Sequence, residues 1–283
     1  MHTVQDLIFK STEFLQRAGI PQPRKEVELL LGHALGLTRV QVYMEFERPM
    51  TDDELGAVRT LLRRRANREP LAWLVGDVGF HSLDEVRVRA GVLVPRPDTE
   101  RLVDAALDWL PEGEERFVAD IGTGSGAIAL ALAAARPEVK LYAVDLSEEA
   151  LACARDNVSA QGLERRIAVL KGSLLDPIPD ARPIDLVVSN PPYIRTADID
   201  DLEPEVADWE PRLALDGGPD GLDVYKQLVP LAAARARVGV LVEIGFDQGD
   251  LVRAIFEEAG LLEVEVLQDL GGRDRVVRGR VAG

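Results

Sequence analysis

From residue 117 onward the chain alternates short apolar runs with stretches of helical length, and few folds accept that order. Strand-like runs fall at 117–121, 141–144, 167–170, 186–188 and 240–244, and helical stretches at 127–135, 148–160, 222–237 and 251–259. Two further runs, 264–267 and 275–281, close the chain. Strands that alternate with helices pair in parallel, because each crossover helix carries the chain back to the same edge, and the helices then cover both faces of the sheet. The expectation is an α/β, doubly wound sheet whose ligands bind beyond the carboxyl ends of the strands.

The first 75 residues have a different period. Leu7, Phe14 and Leu15, then Val27, Leu30, Leu31 and Ala34, then Leu55, Val58, Leu61 and Leu62 recur at helical spacing. Pro21, Pro23 and Pro49 punctuate them, and Thr51 with Glu54 three residues on forms a capping box. A small helical bundle is expected over 1–75, a hairpin linker over 76–94, and the catalytic domain over 95–283. Asp98 or Thr99 is placed to cap a helix running through Leu110. The net charge of −16 is uneven: residues 1–75 carry 11 basic and 10 acidic side chains, so the acidity lies downstream. Arg59, Arg63, Arg64, Arg65 and Arg68 crowd the third helix, as a solvated face or as a docking surface for an acidic partner.

Composition excludes several classes. At 46% hydrophobic and 29% charged the chain is globular. Its single Cys153 cannot close an intrachain disulfide, and no apolar run approaches the roughly 18 residues of a membrane span. The opening MHTVQDLIFK has neither the apolar core nor the cleavage site of a signal peptide, so a cytoplasmic protein with no membrane association is expected. Strong net acidity opposes stable nucleic-acid binding, which depends on Lys and Arg neutralising phosphates. His2, His33 and His81 have no metal-ligand spacing, and no metal is expected.

Two turns carry the chemistry. Asp120-Ile121-Gly122-Thr123-Gly124-Ser125-Gly126 joins a strand to a helix, where glycines let the backbone approach a ligand closely. Position 127 is Ala, so the dinucleotide spacing G-x-G-x-x-G is broken. About 20 residues later the next strand ends in Val144-Asp145-Leu146, where an acid can accept both hydroxyls of a ribose. Ser147 is available to cap the following helix in its place. Together these indicate a nucleoside cofactor and leave a dinucleotide and S-adenosylmethionine both open. The second turn, Ser189-Asn190-Pro191-Pro192-Tyr193-Ile194, decides for the latter. There the Asn190 side-chain oxygen and the Pro191 carbonyl can accept both hydrogens of one NH₂, and Tyr193 can stack on the planar group that bears it.

In order, "REPLAWLVGDVGF", "GVLVPRPDTE", "DIGTGSGAIALALA", "SNPPYI", "EPRLALDGGPDGLDVY" and "GGRDRVV" make this chain resemble the release factor glutamine methyltransferases of the PrmC/HemK type. The resemblance spans nearly the whole chain. It implies a seven-stranded methyltransferase sheet whose last strand is antiparallel, and transfer of one methyl to the side-chain nitrogen of the glutamine in the Gly-Gly-Gln motif of bacterial peptide chain release factors. By the same resemblance, Asp120, Gly122, Thr123, Gly124, Ser125, Gly126, Asp145 and Leu146 hold S-adenosylmethionine and its product S-adenosylhomocysteine. Ser173 and Leu174 border the adenine, with Leu174 giving apolar packing where relatives can carry an aromatic. Asn190, Pro191, Pro192 and Tyr193 hold the glutamine, and Asn190 also touches the cofactor. The residues themselves leave open a ribosomal-protein glutamine as the substrate, or an adenine or guanine amino group of DNA or RNA.

Overall fold

A computed structural model describes residues 3–282. The chain divides into two compact units, one of Met1–Asp77 with Glu203–Trp209 and one of Val78–Leu202 with Glu210–Gly283. Among the described residues no helix is long and apolar enough to cross a membrane.

The first unit begins with five helices, α1 (Val4–Arg17), α2 (Pro23–Leu35), α3 (Arg39–Met44), α4 (Asp52–Ala66) and α5 (Leu71–Val75). Three of them start at capping boxes, with Thr3, Thr38 and Thr51 each accepting from the third helical N–H. In each box the side chain of Asp6, Gln41 or Glu54 closes back on the cap, so two otherwise unpaired donors are satisfied. The short α3 and α5 have no counterpart in the expected bundle, since five or six residues are too few to display a helical period. On α1 the buried stripe is Val4, Ile8, Ser11 and Leu15, which turns Phe14 outward at 44% exposure. Against that stripe pack Val27, Leu30, Leu31, Val58 and Leu62.

The arginines of α4 are not a free basic face. Arg64 forks onto Glu69 at 2.6 and 2.8 Å. Arg65, its side chain only 4% exposed, reaches Glu26 at 2.5 Å and Glu205 at 2.6 Å. Arg68 pairs with Glu205 at 2.7 Å and donates to the Gly19 carbonyl at 2.8 Å. Among the described residues neither Arg59 nor Arg63 has an ion pair, so the expected docking surface shrinks to those two. What the sequence hides is Glu205, which lies 140 residues beyond Arg65 yet folds into the same unit.

A hairpin of β1 (Asp77–Phe80) and β2 (Leu83–Arg87) comes next, all of it but Asp77 in the second unit, and α6 (Glu100–Leu107) follows. Then come β3 (Phe117–Ile121), α7 (Ala127–Ala135), β4 (Lys140–Asp145), α8 (Glu148–Ala160), β5 (Ile167–Lys171) and β6 (Leu186–Ser189). After the one-turn α9 (Pro204–Ala207), which belongs to the first unit, come α10 (Arg212–Leu215), α11 (Asp223–Arg235), β7 (Gly239–Glu243), α12 (Gly249–Glu258), β8 (Leu262–Gln268) and β9 (Asp274–Arg280). The seven-stranded sheet runs β5-β4-β3-β6-β7-β9-β8. Its first five strands pair in parallel, and β9 is antiparallel to both β7 and β8. This is the expected methyltransferase sheet.

Helices cover both faces. One core joins Leu102, Val103 and Ala106 of α6 to the all-apolar α7 and to Phe80, Leu83 and Val86 of the hairpin. The other joins Tyr225, Leu228 and Val229 of α11 to Val252 and Phe256 of α12. Residues 88–94, alternating in sequence, form no strand here although Val88, Val92 and Val94 are buried. Nor does Thr99 cap a helix: it sits inside a 3₁₀ turn, Pro97–Thr99, with its side chain committed elsewhere. The helix expected to run through Leu110 stops at Leu107.

Replacing Arg65 by Met leaves Glu26 and Glu205 without their shared counter-ion in a mostly dry site. Loss of one partner of a buried pair costs about 3 kcal/mol or more, and Arg65→Lys, lacking the planar fork, should recover only part of it. Chemical denaturation of the three proteins checks this. A loss within about 0.5 kcal/mol, the range of an ordinary surface substitution, would mean the arginine is not a staple.

Candidate active site

Chain order fixes where the site lies. The segment that starts with β3 continues outward to β4 and β5, while β6 returns to the other side of β3, so the β3/β6 boundary is the point where the winding reverses. Crevices form beyond the carboxyl ends of strands at such a point. Here the register aligns Ile121 with Ser189, and the Ser189 hydroxyl donates to the Ile121 carbonyl at 2.7 Å. Both turns singled out in the sequence therefore leave the sheet side by side. Between them opens a cavity of about 740 Å³, a volume suited to a nucleoside-sized ligand.

One wall is the glycine turn. Gly126 takes φ +83° as the residue before α7, a conformation that favours glycine, with the Ala154 side chain in van der Waals reach of where a Cβ would stand. The N–H groups of Gly122 and Thr123 both donate to the Val144 carbonyl, and that of Gly124 donates to Asp145 Oδ2 at 2.8 Å. Those amides are occupied by the chain itself, so this turn offers close approach rather than an anion cradle. Asp145 Oδ1 accepts from the Ser147 N–H at 2.9 Å, while the Ser147 hydroxyl caps α8. Each Asp145 oxygen thus holds one backbone donor and keeps a further lone pair for a ligand.

Ser173 and Leu174 line the same cavity, with Leu174 held in the left-handed region at φ +48°, a strained setting for a branched side chain. Asp120 is fully buried behind the turn and accepts from Thr123 Oγ1 at 2.6 Å.

The opposite wall is the proline turn. Asn190, Pro191 and Pro192 line the cavity, and Asn190 Nδ2 donates to Thr99 Oγ1 at 3.1 Å. The Tyr193 ring is half-buried, with its hydroxyl donating to Glu243 Oε1 at 3.2 Å and its carbonyl accepting from Gln248 Nε2 at 3.0 Å. Behind this turn the backbone of Gly217 comes so close that a Cβ would lie 2.8 Å from the Pro192 carbonyl oxygen. The structure therefore gathers Gly122, Thr123, Gly124, Ser125, Asp145, Leu146, Ser173, Leu174, Asn190, Pro191 and Pro192 at one cavity. Asp120, Gly126 and Tyr193 support it from behind.

Sequence reasoning missed Thr99, Glu243, Gln248 and Arg275. Thr99 sits in the P-R-P-D-T-E stretch and Arg275 in G-G-R-D-R, both conspicuous as text but without a chemical role until the fold assembles them. Arg275, 7% exposed, pairs with Asp98 at 3.1 Å and Asp269 at 3.5 Å. Of the histidines, His2 lies outside the described residues and His81 Nε2 meets Asp104 at 3.1 Å. Cys153 is buried with its Sγ 3.2 Å from the Arg87 carbonyl. Among the described residues no group of three His, Cys, Asp or Glu is arranged to hold a metal ion.

Two family profiles match: the PrmC N-terminal domain over residues 6–76 and the methyltransferase small domain over residues 101–204. The release factor glutamine methyltransferase of Geobacter sulfurreducens is 43% identical over 281 residues, covering 99% of this chain and 97% of that protein. Its counterpart in Deinococcus radiodurans is 41% identical over 282 residues, covering 99% of each. The chain belongs to the release factor glutamine methyltransferases. It is an S-adenosylmethionine-dependent methyltransferase. Solved structures agree in fold alone. The hMettl16 catalytic domain in complex with an RNA hairpin superposes with a TM-score of 0.58 at 17% identity, over 82% of this chain and 83% of that one. A methyltransferase from Pyrococcus furiosus gives 0.51 at 18% identity, over 69% and 88%.

Burial pushes the Glu243 carboxyl up to about 7, against the hydrogen bonds of Thr99 and Tyr193 and the charge of Arg275, while Asp98 adds to the rise. The unfolded chain releases that proton near the ordinary value of 4.5, so between the two values the folded protein holds the extra proton and rising pH favours unfolding. Glu243→Gln cannot ionise. Relative to the parent, its stability should therefore improve by roughly 3 kcal/mol between about pH 4.5 and pH 7 and stay level above that. Thermal or urea denaturation of the pair at several pH values checks this, and a difference independent of pH would show that Glu243 titrates normally.

Proposed function

We propose that this enzyme methylates the side-chain nitrogen of the glutamine in the Gly-Gly-Gln motif of bacterial peptide chain release factors, in the cytoplasm. The observation that carries the proposal is the sharing of one cavity by Asp145 and the Asn190 turn, so that a nucleoside held by the first is open to an amide held by the second. The residues present fit S-adenosylmethionine: a carboxylate with spare lone pairs for ribose hydroxyls, a glycine turn that admits a ligand closely, and apolar Leu174 for the adenine. When bound, the cofactor supplies a methyl made electrophilic by its sulfonium.

Everything else falls to the chain. An amide nitrogen is a poor nucleophile because its lone pair is delocalised, so placement and fixed acceptors matter more than a base. Asn190 Oδ1 and the Pro191 carbonyl take the two N–H groups and turn the nitrogen face toward the methyl. As positive charge grows on nitrogen both bonds strengthen, which lowers the barrier without reorganisation; the methylated nitrogen, then strongly acidic, gives up one of the two hydrogens as a proton to solvent as product leaves. Pro191 and Pro192 fix their φ angles near −65°, so the turn has little freedom to lose. The exposed walls of the cavity among the described residues are more apolar than polar.

Recognition of the intact release factor falls to the helices of residues 1–75. There Phe9, Val40 and Met44 stand 67%, 69% and 79% exposed, an apolar display suited to a protein partner. Arg59 and Arg63, on α4 of the same unit, add charge.

Asp145→Ala removes hydrogen bonds made by a charged group, which are worth roughly 1.5 to 3 kcal/mol, and should weaken S-adenosylmethionine binding tenfold to a hundredfold in a calorimetric titration of the folded protein. Unchanged affinity would remove Asp145 from the ribose role.

The function itself is tested by offering labelled S-adenosylmethionine with purified release factor, ribosomal protein and nucleic acid in separate reactions and mapping the methyl by mass spectrometry. Label on the Gly-Gly-Gln glutamine is expected, and Asn190→Ala should lower turnover about 10²-fold at nearly unchanged cofactor affinity. Label confined to ribosomal protein or to a base would overturn the substrate assignment.

A further inference from the structure

A backbone carbonyl that accepts from a substrate must keep its direction as well as its place. The direction of the Pro191 carbonyl is set by the torsions that follow it. The ring of Pro192 fixes φ at that residue, so once the Tyr193 carbonyl is held, only ψ of Pro192 and the two torsions of Tyr193 remain to turn it. Whatever holds the Tyr193 carbonyl therefore bears on the acceptor two residues earlier.

Gln248 holds it. This residue stands immediately before α12 and is 3% exposed. Its Nε2 donates to the Tyr193 carbonyl at 3.0 Å and to the Gly221 carbonyl at 3.2 Å, while its Oε1 accepts from the Gly245 N–H at 2.9 Å. A carbonyl cannot donate and a backbone N–H cannot accept, so all three contacts require the same orientation of the amide. One side chain thus ties the proline turn to the loop before α11 and to the turn between β7 and α12. That loop already presses on the proline turn. A Cβ on Gly217 would lie 2.8 Å from the Pro192 oxygen, and one on Gly221 would strike the Tyr193 carbonyl. Backbone bonds seat Ile194, whose carbonyl accepts from the Gly217 N–H at 2.8 Å and whose N–H donates to the Leu215 carbonyl at 3.0 Å. The carbonyl one residue earlier takes its donor from Gln248. The Tyr193 hydroxyl is tied to Glu243 at 3.2 Å, but that bond fixes the ring, with side-chain torsions between it and the backbone.

We infer that Gln248 is a positioning residue: by holding the Tyr193 carbonyl it fixes the direction in which the Pro191 carbonyl faces the substrate amide. This rests on the reading that the Asn190 turn holds that amide. Among the described residues Asn190, Pro191 and Pro192 line the cavity and Gln248 does not, so it acts on the backbone rather than on a ligand. The cofactor wall is held by other bonds, from the Gly124 N–H to Asp145 and from the Gly122 and Thr123 N–H groups to the Val144 carbonyl. A change at Gln248 should therefore separate turnover from cofactor binding.

Steady-state kinetics of the full-length enzyme on intact release factor test this, at a temperature where every protein compared is folded. Gln248→Met keeps the length of the side chain and removes both donors; kcat should fall about tenfold while S-adenosylmethionine affinity stays within about twofold. Gln248→Asn keeps an amide one methylene shorter, which cannot reach both carbonyls, and should fall in between. Val252→Ala truncates a core residue of the same helix and is the control for lost stability alone: its thermal midpoint should drop while kcat stays at the parent value. Gln248→Met at the parent kcat would overturn the inference. So would cofactor affinity falling in step with kcat, or a loss of kcat in Val252→Ala as large as in Gln248→Met at a similar fall in midpoint. Should Gln248→Met not fold, Gln248→Asn is read against the same control by the same criteria. Asn190→Ala, measured alongside, separates the two levels. If it turns over at the parent rate, the amide cradle itself is wrong. If it is slow while the folded Gln248 variant is not, only the role of Gln248 fails.

Discussion

The parallel pairing of β3 with β6 is the constraint on which the site depends. Parallel strands present their carboxyl ends at the same edge, so the turn after each must leave the sheet on the same side. The register Ile121 to Ser189 sets the two turns level, and the bond from the Ser189 hydroxyl to the Ile121 carbonyl ties them at the point of departure. A shift of one residue would invert the side chains of β6, all four of which are buried, and would carry Asn190 away from the glycine turn. Both faces of these strands are covered by helices, so such a shift has no alternative core to bury into. Fold and site are in this sense one constraint.

Buried charge is handled differently in the two units. In the first, carboxylates are matched to guanidinium groups: Glu28 accepts from Arg24, Arg39 and Tyr43, and these bonds outweigh its burial and hold its pKa below the usual value. Glu205 is held down in the same way by Arg65 and Arg68, again against its burial. In the second, Asp120 and Glu243 sit behind the cavity with too few partners to offset burial, and both are pushed up to about 7. A scaffold gains from matched pairs, since an unmatched buried charge costs several kcal/mol. Each still holds a neighbour at the cavity: Asp120 accepts from Thr123, which lines it, and Glu243 accepts from Tyr193 in the turn behind it.

How much of this the sequence discloses depends on whether the relevant partner is near in the chain. The alternation after residue 117 gives the sheet, because each crossover is local and its period is plain. The capping box at Thr51 and Glu54 is equally local. The glycine turn, Asp145 and the proline turn are legible because each lies whole within a few residues. By contrast helical spacing groups Phe14 with Leu7 and Leu15, whereas α1 buries Ile8, Ser11 and Leu15, since a stripe that includes a serine is hard to phase from spacing alone. The α4 arginines looked like a surface because Glu205 is far away in sequence. Thr99 looked like a cap for the same reason, its real partner Asn190 being 91 residues downstream.

Rigid prolines and a polarised amide answer different needs in one turn. Pro191 and Pro192 restrict the backbone, which fixes where Asn190 begins, but a backbone restraint cannot distinguish the oxygen of a side-chain amide from its nitrogen. That distinction needs a partner of defined polarity, and a hydroxyl supplies it only if something fixed decides where its proton goes. The partner here is the Thr99 hydroxyl, which meets Asn190 Nδ2 at 3.1 Å and is buried, so that water has little part in setting the direction of the bond.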